Sequence, residues 1–160
     1  MNRSYLFDPG NRERKLEKAA TTGADALIID LEDSVTADNR PAARKITAAY
    51  LQGENQQQIW VRINALDTSD AIEDLRTIIP SSPFGIVLPK PKNVSDTNQL
   101  AKLCEALEAE NDLPLGKIKI LPIATEHPAA IFSLHEYTTA SDRLAGLTWG
   151  AEDLSTALGA

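Results

Sequence analysis

Two carboxylates stand where this chain could do chemistry. Glu126 follows an apolar run at 117–123 in Leu121-Pro-Ile-Ala-Thr-Glu-His-Pro, and Asp153 follows another at 144–148 in Trp149-Gly-Ala-Glu-Asp-Leu. They lie 27 residues apart, about the length of one βα unit. On adjacent parallel strands that spacing puts both acids at one rim, able to share a hard divalent cation such as Mg²⁺. Solvated surface acids are the commoner fate of Asp and Glu. Here Asp30, Glu32, Arg62 and Lys90 also fall at or just past the ends of apolar runs. It is this alignment, more than any one residue, that points to a site.

The elements that must position these residues follow from pattern. Ala26-Leu-Ile-Ile-Asp30 is a continuous apolar run, as expected of a strand buried on both faces. Similar runs begin near residues 4, 59, 85, 118 and 144. Helical segments are expected between them: 11–22 capped by Asn11 and stopped by Gly23, 37–51 entered through Pro41, 69–79 capped by Ser69, 95–110 capped by Ser95, 128–137, and one opening at Ala151. Strictly alternating strands and helices demand a parallel sheet covered by helices, whose strand C-termini share one face. A (β/α)₈ barrel fits best but normally takes about 250 residues. The expectation is therefore a single incomplete domain over residues 1–160: an α/β TIM barrel truncated to its first six βα units. An open six-stranded sheet is the alternative.

Composition narrows the function. A formal net charge of −7 argues against a general nucleic-acid or anionic-membrane surface. No apolar run reaches the length of a membrane span, and the N-terminus has no signal-peptide pattern. The one cysteine, Cys104, excludes an internal disulfide, reads as a small buried apolar residue and suits a reducing cytoplasm.

Five segments, taken in order, carry a resemblance: Arg3-Ser-Tyr-Leu-Phe-Asp-Pro-Gly, Gly23-Ala-Asp-Ala-Leu-Ile-Ile-Asp-Leu-Glu-Asp-Ser-Val35, Trp60-Val-Arg-Ile-Asn-Ala-Leu-Asp67, Gly85-Ile-Val-Leu-Pro-Lys90 and Gly146-Leu-Thr-Trp-Gly-Ala-Glu-Asp-Leu154. Together they resemble the citrate lyase β-subunit-like CoA-ester lyases of the HpcH/HpaI aldolase/citrate lyase superfamily. The resemblance implies a Mg²⁺-binding (β/α)₈ barrel, assembled as a trimer or hexamer, acting on citryl-, malyl- or citramalyl-CoA-type thioesters. It implies Glu126 and Asp153 as metal ligands, with Glu126 also at the substrate, and Arg62 as the substrate arginine. A guanidinium suits that task because its fork binds two oxygens and stays charged. Asp30 and Glu32 are implied to orient Arg62 and metal-bound waters; two residues apart on a strand, they would share a side, with Asp33 opposite. The resemblance also places CoA phosphates near the first unit, with Arg3 the leading contact. Lys90 reads equally as an anion contact or a structural lysine.

Departures from the family pattern are Asp8, where an apolar residue is usual, and His127, which could hydrogen-bond Glu126. The family's last two strands, and a C-terminal acid/base Asp, have no counterpart here. The expected activity is Mg²⁺-dependent retro-Claisen cleavage, or formation, of a β-hydroxyacyl-CoA. Alternatives are a pyruvate-type metal aldolase acting on free oxoacids, and a non-catalytic fragment serving as a binding or interaction module.

Overall fold

Strands β1 (Tyr5–Pro9), β2 (Ala26–Asp30), β3 (Gln58–Arg62), β4 (Gly85–Leu88) and β5 (Lys119–Pro122) form one parallel sheet in consecutive order. The computed structural model describes residues 2–54 and 57–160. Helices α1 (Glu13–Ala19), α2 (Arg40–Leu51), α3 (Ser69–Ile78), α4 (Val94–Glu110), α5 (Pro128–Phe132) and α6 (Ala151–Leu158) follow the strands and the sixth segment. Unbroken order separates this sheet from a doubly wound one, where the order reverses at a switch point.

Register explains which side chains meet at the rim. Asp30 is the β-partner of Arg62, and Arg62 that of Val87. Counting back by twos, Ile28 and Trp60 lie on the same face, in a cluster with Ala26, Val87, Leu121 and Ile123. The opposite face sends Val61, Ile86, Leu88 and Ile120 into the larger core, which α3 and α4 complete with Leu75, Ile78, Leu100 and Cys104. Trp60 fits because β4 starts with glycine: a Cβ on Gly85 would stand 2.4 Å from the Trp60 ring. Burial pushes the Cys104 thiol up to about 12, so it packs as an apolar group rather than acting as a nucleophile. Among the described residues no helix is long and apolar enough to cross a membrane.

Several expected boundaries move. α1 begins at Glu13 with Arg12, not Asn11, at its N-cap, and ends at Ala19. Residues 37–39 form a separate 3₁₀ turn before α2. Thr68 rather than Ser69 precedes α3, and Asn93 rather than Ser95 caps α4, its side chain accepting from Ser95 N–H at 2.8 Å. The helix expected at 128–137 is α5 followed by a 3₁₀ stretch, Leu134–Thr139.

The sixth strand shows the largest change. Residues 144–148 do lie parallel beside β5, but touch it only through two isolated bridges, Ile120–Leu144 and Ile123–Thr148. The new segment advances one residue more than β5 between those bridges, so it bulges around Gly146, a residue that weakens strand interiors and marks bulges.

What anchors that segment is a buried ion pair. Arg143 donates through Nη1 and Nη2 to the two oxygens of Glu108 (2.9 and 2.6 Å), which also accept from the N–H groups of Ile118 and Gly116 (2.9 and 2.8 Å). Burial opposes the Glu108 charge, but these donors outweigh it and hold the carboxyl below its ordinary value of 4.5. The pair's contribution is therefore present above pH 4.5 and lost as pH falls through the depressed folded value. Urea unfolding midpoints should fall between pH 6 and pH 3, and the Glu108→Gln variant should show a smaller fall.

Candidate active site

At the C-terminal rim of the sheet, Asp30 and Arg62 meet as register partners. Arg62 donates Nε to Oδ1 and Nη2 to Oδ2 of Asp30 at 2.7 and 2.8 Å, a bidentate pair. The same two oxygens accept from the N–H groups of Glu32 and Ser34, both at 3.0 Å. Burial pushes the Asp30 carboxyl up, but these four donors win and its pKa is lowered. Asp30 is thus a fixed anion that aims Arg62; it is not poised to carry a proton. Burial likewise opposes the Arg62 charge, and Asp30, Glu32 and Asp33 more than restore it. Arg62 Nη1 is the nitrogen not committed to Asp30. It lies 3.3 Å from Glu32 Oε2 and 3.4 Å from Asp33 Oδ2. The guanidinium carbon sits 5.3 Å from the Phe7 ring centroid, and Phe7, Asp8 and Arg62 line one cavity of about 340 Å³.

Asp33 joins this cluster, contrary to the expectation that it faces away. β2 ends at Asp30, so the period-two alternation stops there and the following turn carries Asp33 back toward the cations.

Glu126 is reached four residues past β5. It is 5% exposed, and its Oε2 accepts from the Lys90 N–H at 2.5 Å. Burial, then the nearby charges of Asp153 and Glu32, push its carboxyl up to about 7 against the pull of Lys90. Asp153 lies in the first turn of α6, where the helix dipole favours an acid. Glu126, Asp153, His127 and Lys90 line a common cavity of about 350 Å³. His127 does not serve Glu126: its Nδ1 accepts from Ala129 N–H at 3.1 Å and caps α5. Glu152, next to Asp153, is exposed.

Two members of the site take roles that the sequence did not show: Lys90, which reads there equally as an anion contact or a structural lysine, and Gly150. Lys90 donates Nζ to Glu32 Oε1 at 2.6 Å and Asp33 Oδ1 at 3.1 Å, and stands 3.9 Å from Asp153 Oδ1. Gly150 is the second, since a Cβ there would fall 2.3 Å from Glu126 Cγ and 2.9 Å from Ile123 Cγ2. Its N–H also donates to Thr125 Oγ1 at 2.8 Å. Gly150→Ala should push Glu126 aside and weaken divalent-cation binding by roughly tenfold to a hundredfold, since displacement of about 1 Å is enough for such losses. Calorimetric Mg²⁺ titration of the two forms checks this.

Arg3 lies away from this cluster. It precedes β1, at the N-terminal end of the sheet and opposite the rim, where its Nε lies 3.7 Å from Asp25 Oδ2 and its side chain is 90% exposed. Position before a strand, rather than after one, puts it there.

The donor set suits a hard cation. Among the described residues no three His, Cys, Asp or Glu side chains form a closed metal cage. Mg²⁺, however, commonly takes one or two carboxylates and fills its remaining positions with water and substrate oxygen. The cluster is short of positive charge: Glu32 Oε2 is buried with no hydrogen bond beyond its 3.3 Å ion-pair contact to Arg62 Nη1, and burial raises the Glu32 pKa despite Lys90 and Arg62. Glu126 and Asp153 could hold such an ion, with Glu32 beside it.

Comparison with known proteins identifies the family. The HpcH/HpaI aldolase/citrate lyase family model matches residues 3–160. The chain is 30% identical to citrate lyase subunit beta of Leuconostoc mesenteroides subsp. cremoris over 98% of its own length and 52% of that relative. It is 33% identical to L-malyl-CoA/beta-methylmalyl-CoA lyase of Rhodobacter capsulatus, over 99% and 51%. It thus spans about half the length of these relatives. The citrate lyase beta subunit of Mycobacterium tuberculosis, solved with oxaloacetate and magnesium, superposes with a TM-score of 0.75 at 31% identity, over 97% of this chain and 60% of that one. The chain belongs to the HpcH/HpaI aldolase/citrate lyase family.

Proposed function

We propose that this chain carries the metal- and anion-binding half of a Mg²⁺-dependent carbon–carbon lyase that cleaves, or forms, a β-hydroxyacyl-CoA thioester. The observation that carries the reading is the rim itself: Glu126 and Asp153 share one cavity, and Lys90 and Glu32 join them to the Asp30–Arg62 pair. The named lyase relatives supply the reaction class.

Mg²⁺, when bound, supplies Lewis-acid polarisation of a substrate oxygen. The chain's own residues do the rest of the binding. Asp30 fixes the Arg62 fork through Nε and Nη2, so that Nη1, whose contacts to Glu32 and Asp33 are longer, is already aimed when it turns to the carboxylate of an oxoacid or a developing oxyanion. Glu126 and Asp153 would hold the cation, and Glu32 stands between the two halves. The general acid or base is assigned to none of them. We place the five strands and the bulged segment as the first six units of a (β/α)₈ barrel, in which two more strands would pair with the outer edges of β1 and of residues 144–148.

Calorimetry with oxaloacetate, pyruvate and acetoacetate, with and without Mg²⁺, tests the binding half, and incubation with malyl-, citramalyl- and citryl-CoA tests the chemistry. Mg²⁺-dependent oxoacid binding with thioester cleavage is expected. Binding that ignores Mg²⁺ refutes the site, and turnover of free hydroxyacids alone moves the assignment to a pyruvate-type aldolase.

A further inference from the structure

Lys90 has a backbone conformation that its side chain disfavours. Its φ is +52°, in the left-handed region, and it is flanked by Pro89 and Pro91 just past β4. A non-glycine residue stays there only where its surroundings over-determine it, and such residues cluster at functional sites. Here the surroundings are the rim. The Lys90 N–H is bonded to Glu126, and its ammonium to Glu32 and Asp33, 3.9 Å from Asp153. Among the described residues, the cations in ion-pair or hydrogen-bond reach of Asp30, Glu32, Asp33, Glu126 and Asp153 are Arg62 and Lys90, while Lys92, which also lines the Glu126–Asp153 cavity, pairs with Asp67. Arg62 is bidentate to Asp30, and of these two cations it is Lys90 that touches both halves of the cluster.

We propose that Lys90 is a positioning residue with two separable tasks. Its N–H aims Glu126, and its ammonium is a tethered countercharge that sets how tightly, and at what ionic charge, the rim accepts a metal ion. This rests on the assignment of Glu126 and Asp153 as cation ligands. In the metal-free chain the ammonium keeps the crowded carboxylates from repelling one another. Once an ion binds at Glu126 and Asp153, the same ammonium is a like charge at close range. It lowers affinity, and lowers it more for a trivalent ion than for a divalent one.

Lys90→Met removes the ammonium and keeps the N–H. Even with water-like screening, a unit charge about 5 Å from a divalent ion is worth about tenfold in affinity. Calorimetry should therefore show Mg²⁺ binding about tenfold tighter in Lys90→Met than in the wild type. Tb³⁺, read by luminescence, should tighten by a larger factor. The metal-free variant should melt below the wild type, because Glu32 loses its closest donor, and Mg²⁺ should raise its melting temperature more. Lys90→Gln, which leaves Glu32 an N–H donor without the charge, carries the same expectation for affinity, while Lys90→Arg should stay near the wild type. A lysine that merely braced the fold would lose stability and affinity together. Equal or weaker Mg²⁺ binding by folded Lys90→Met and Lys90→Gln, beside a wild type that binds, overturns the role of Lys90 and leaves the cation site standing. Absence of Mg²⁺ binding by the wild type overturns both.

Discussion

Replacing Arg62 with methionine should cost about 3–5 kcal/mol of unfolding free energy and abolish oxoacid binding, because it leaves an uncompensated buried charge. Asp30 is 2% exposed, and two of its four hydrogen bonds come from Arg62. The Glu32 and Ser34 N–H groups alone cannot stabilise a carboxylate removed from water as well as a bidentate guanidinium does. Two further variants separate the structural part of the loss from the binding part. Asp30→Asn combined with Arg62→Met removes both charges and should recover much of the stability but none of the anion binding. Arg62→Lys keeps the charge without the fork, and should retain fold and lose most affinity. Chemical denaturation and oxaloacetate calorimetry on the same samples give both readouts. Equal oxoacid affinity in the wild type and Arg62→Met would remove Arg62 from the site.

Glu126→Gln and Asp153→Asn should act with the opposite balance. Each keeps shape and deletes one anion, so each should abolish measurable Mg²⁺ binding and lower thioester cleavage by roughly a thousandfold, the scale of losing Lewis-acid stabilisation worth several kcal/mol. Yet Glu126 is a buried carboxylate crowded by Asp153 and Glu32, and its Lys90 contact needs only an acceptor oxygen, which glutamine retains. The metal-free Glu126→Gln chain should therefore melt at or above the wild-type temperature. Stability that rises as function is lost is the signature of a site held together against its own repulsion. Melting scans in EDTA beside cleavage assays check the pairing of effects.

How much of this was legible beforehand depended on what kind of fact it was. Apolar runs announced the strands because a sheet buried on both faces needs residues like those of 26–30, and that alone put Asp30, Arg62 and Glu126 at one rim. An arginine neutralising Asp30 or Glu32 was likewise readable, and Arg62 faces both. Turn geometry was not readable. Asp33 was assigned by strand alternation past the point where the strand ends, and Lys90 gave no sign that its backbone would turn left-handed between two prolines. Gly150 matters for the atom it lacks, which spacing does not reveal, although a glycine opening a helix beside an acidic motif was a usable hint. The motif that carries Arg3 does not show at which end of the sheet the residue lies; its place before the first strand puts it at the end opposite the rim. The bulge at Gly146 follows the ordinary cost of glycine within a strand.

Glu126 and Asp153 as joint holders of one divalent cation is the claim on which everything else turns. Calorimetric titration of Mg²⁺ into the wild-type chain, Glu126→Gln and Asp153→Asn, each shown folded by circular dichroism, addresses it directly. One ion per wild-type chain and no saturable binding by either variant is the expected result. Binding by both variants with the wild-type stoichiometry and affinity would contradict it.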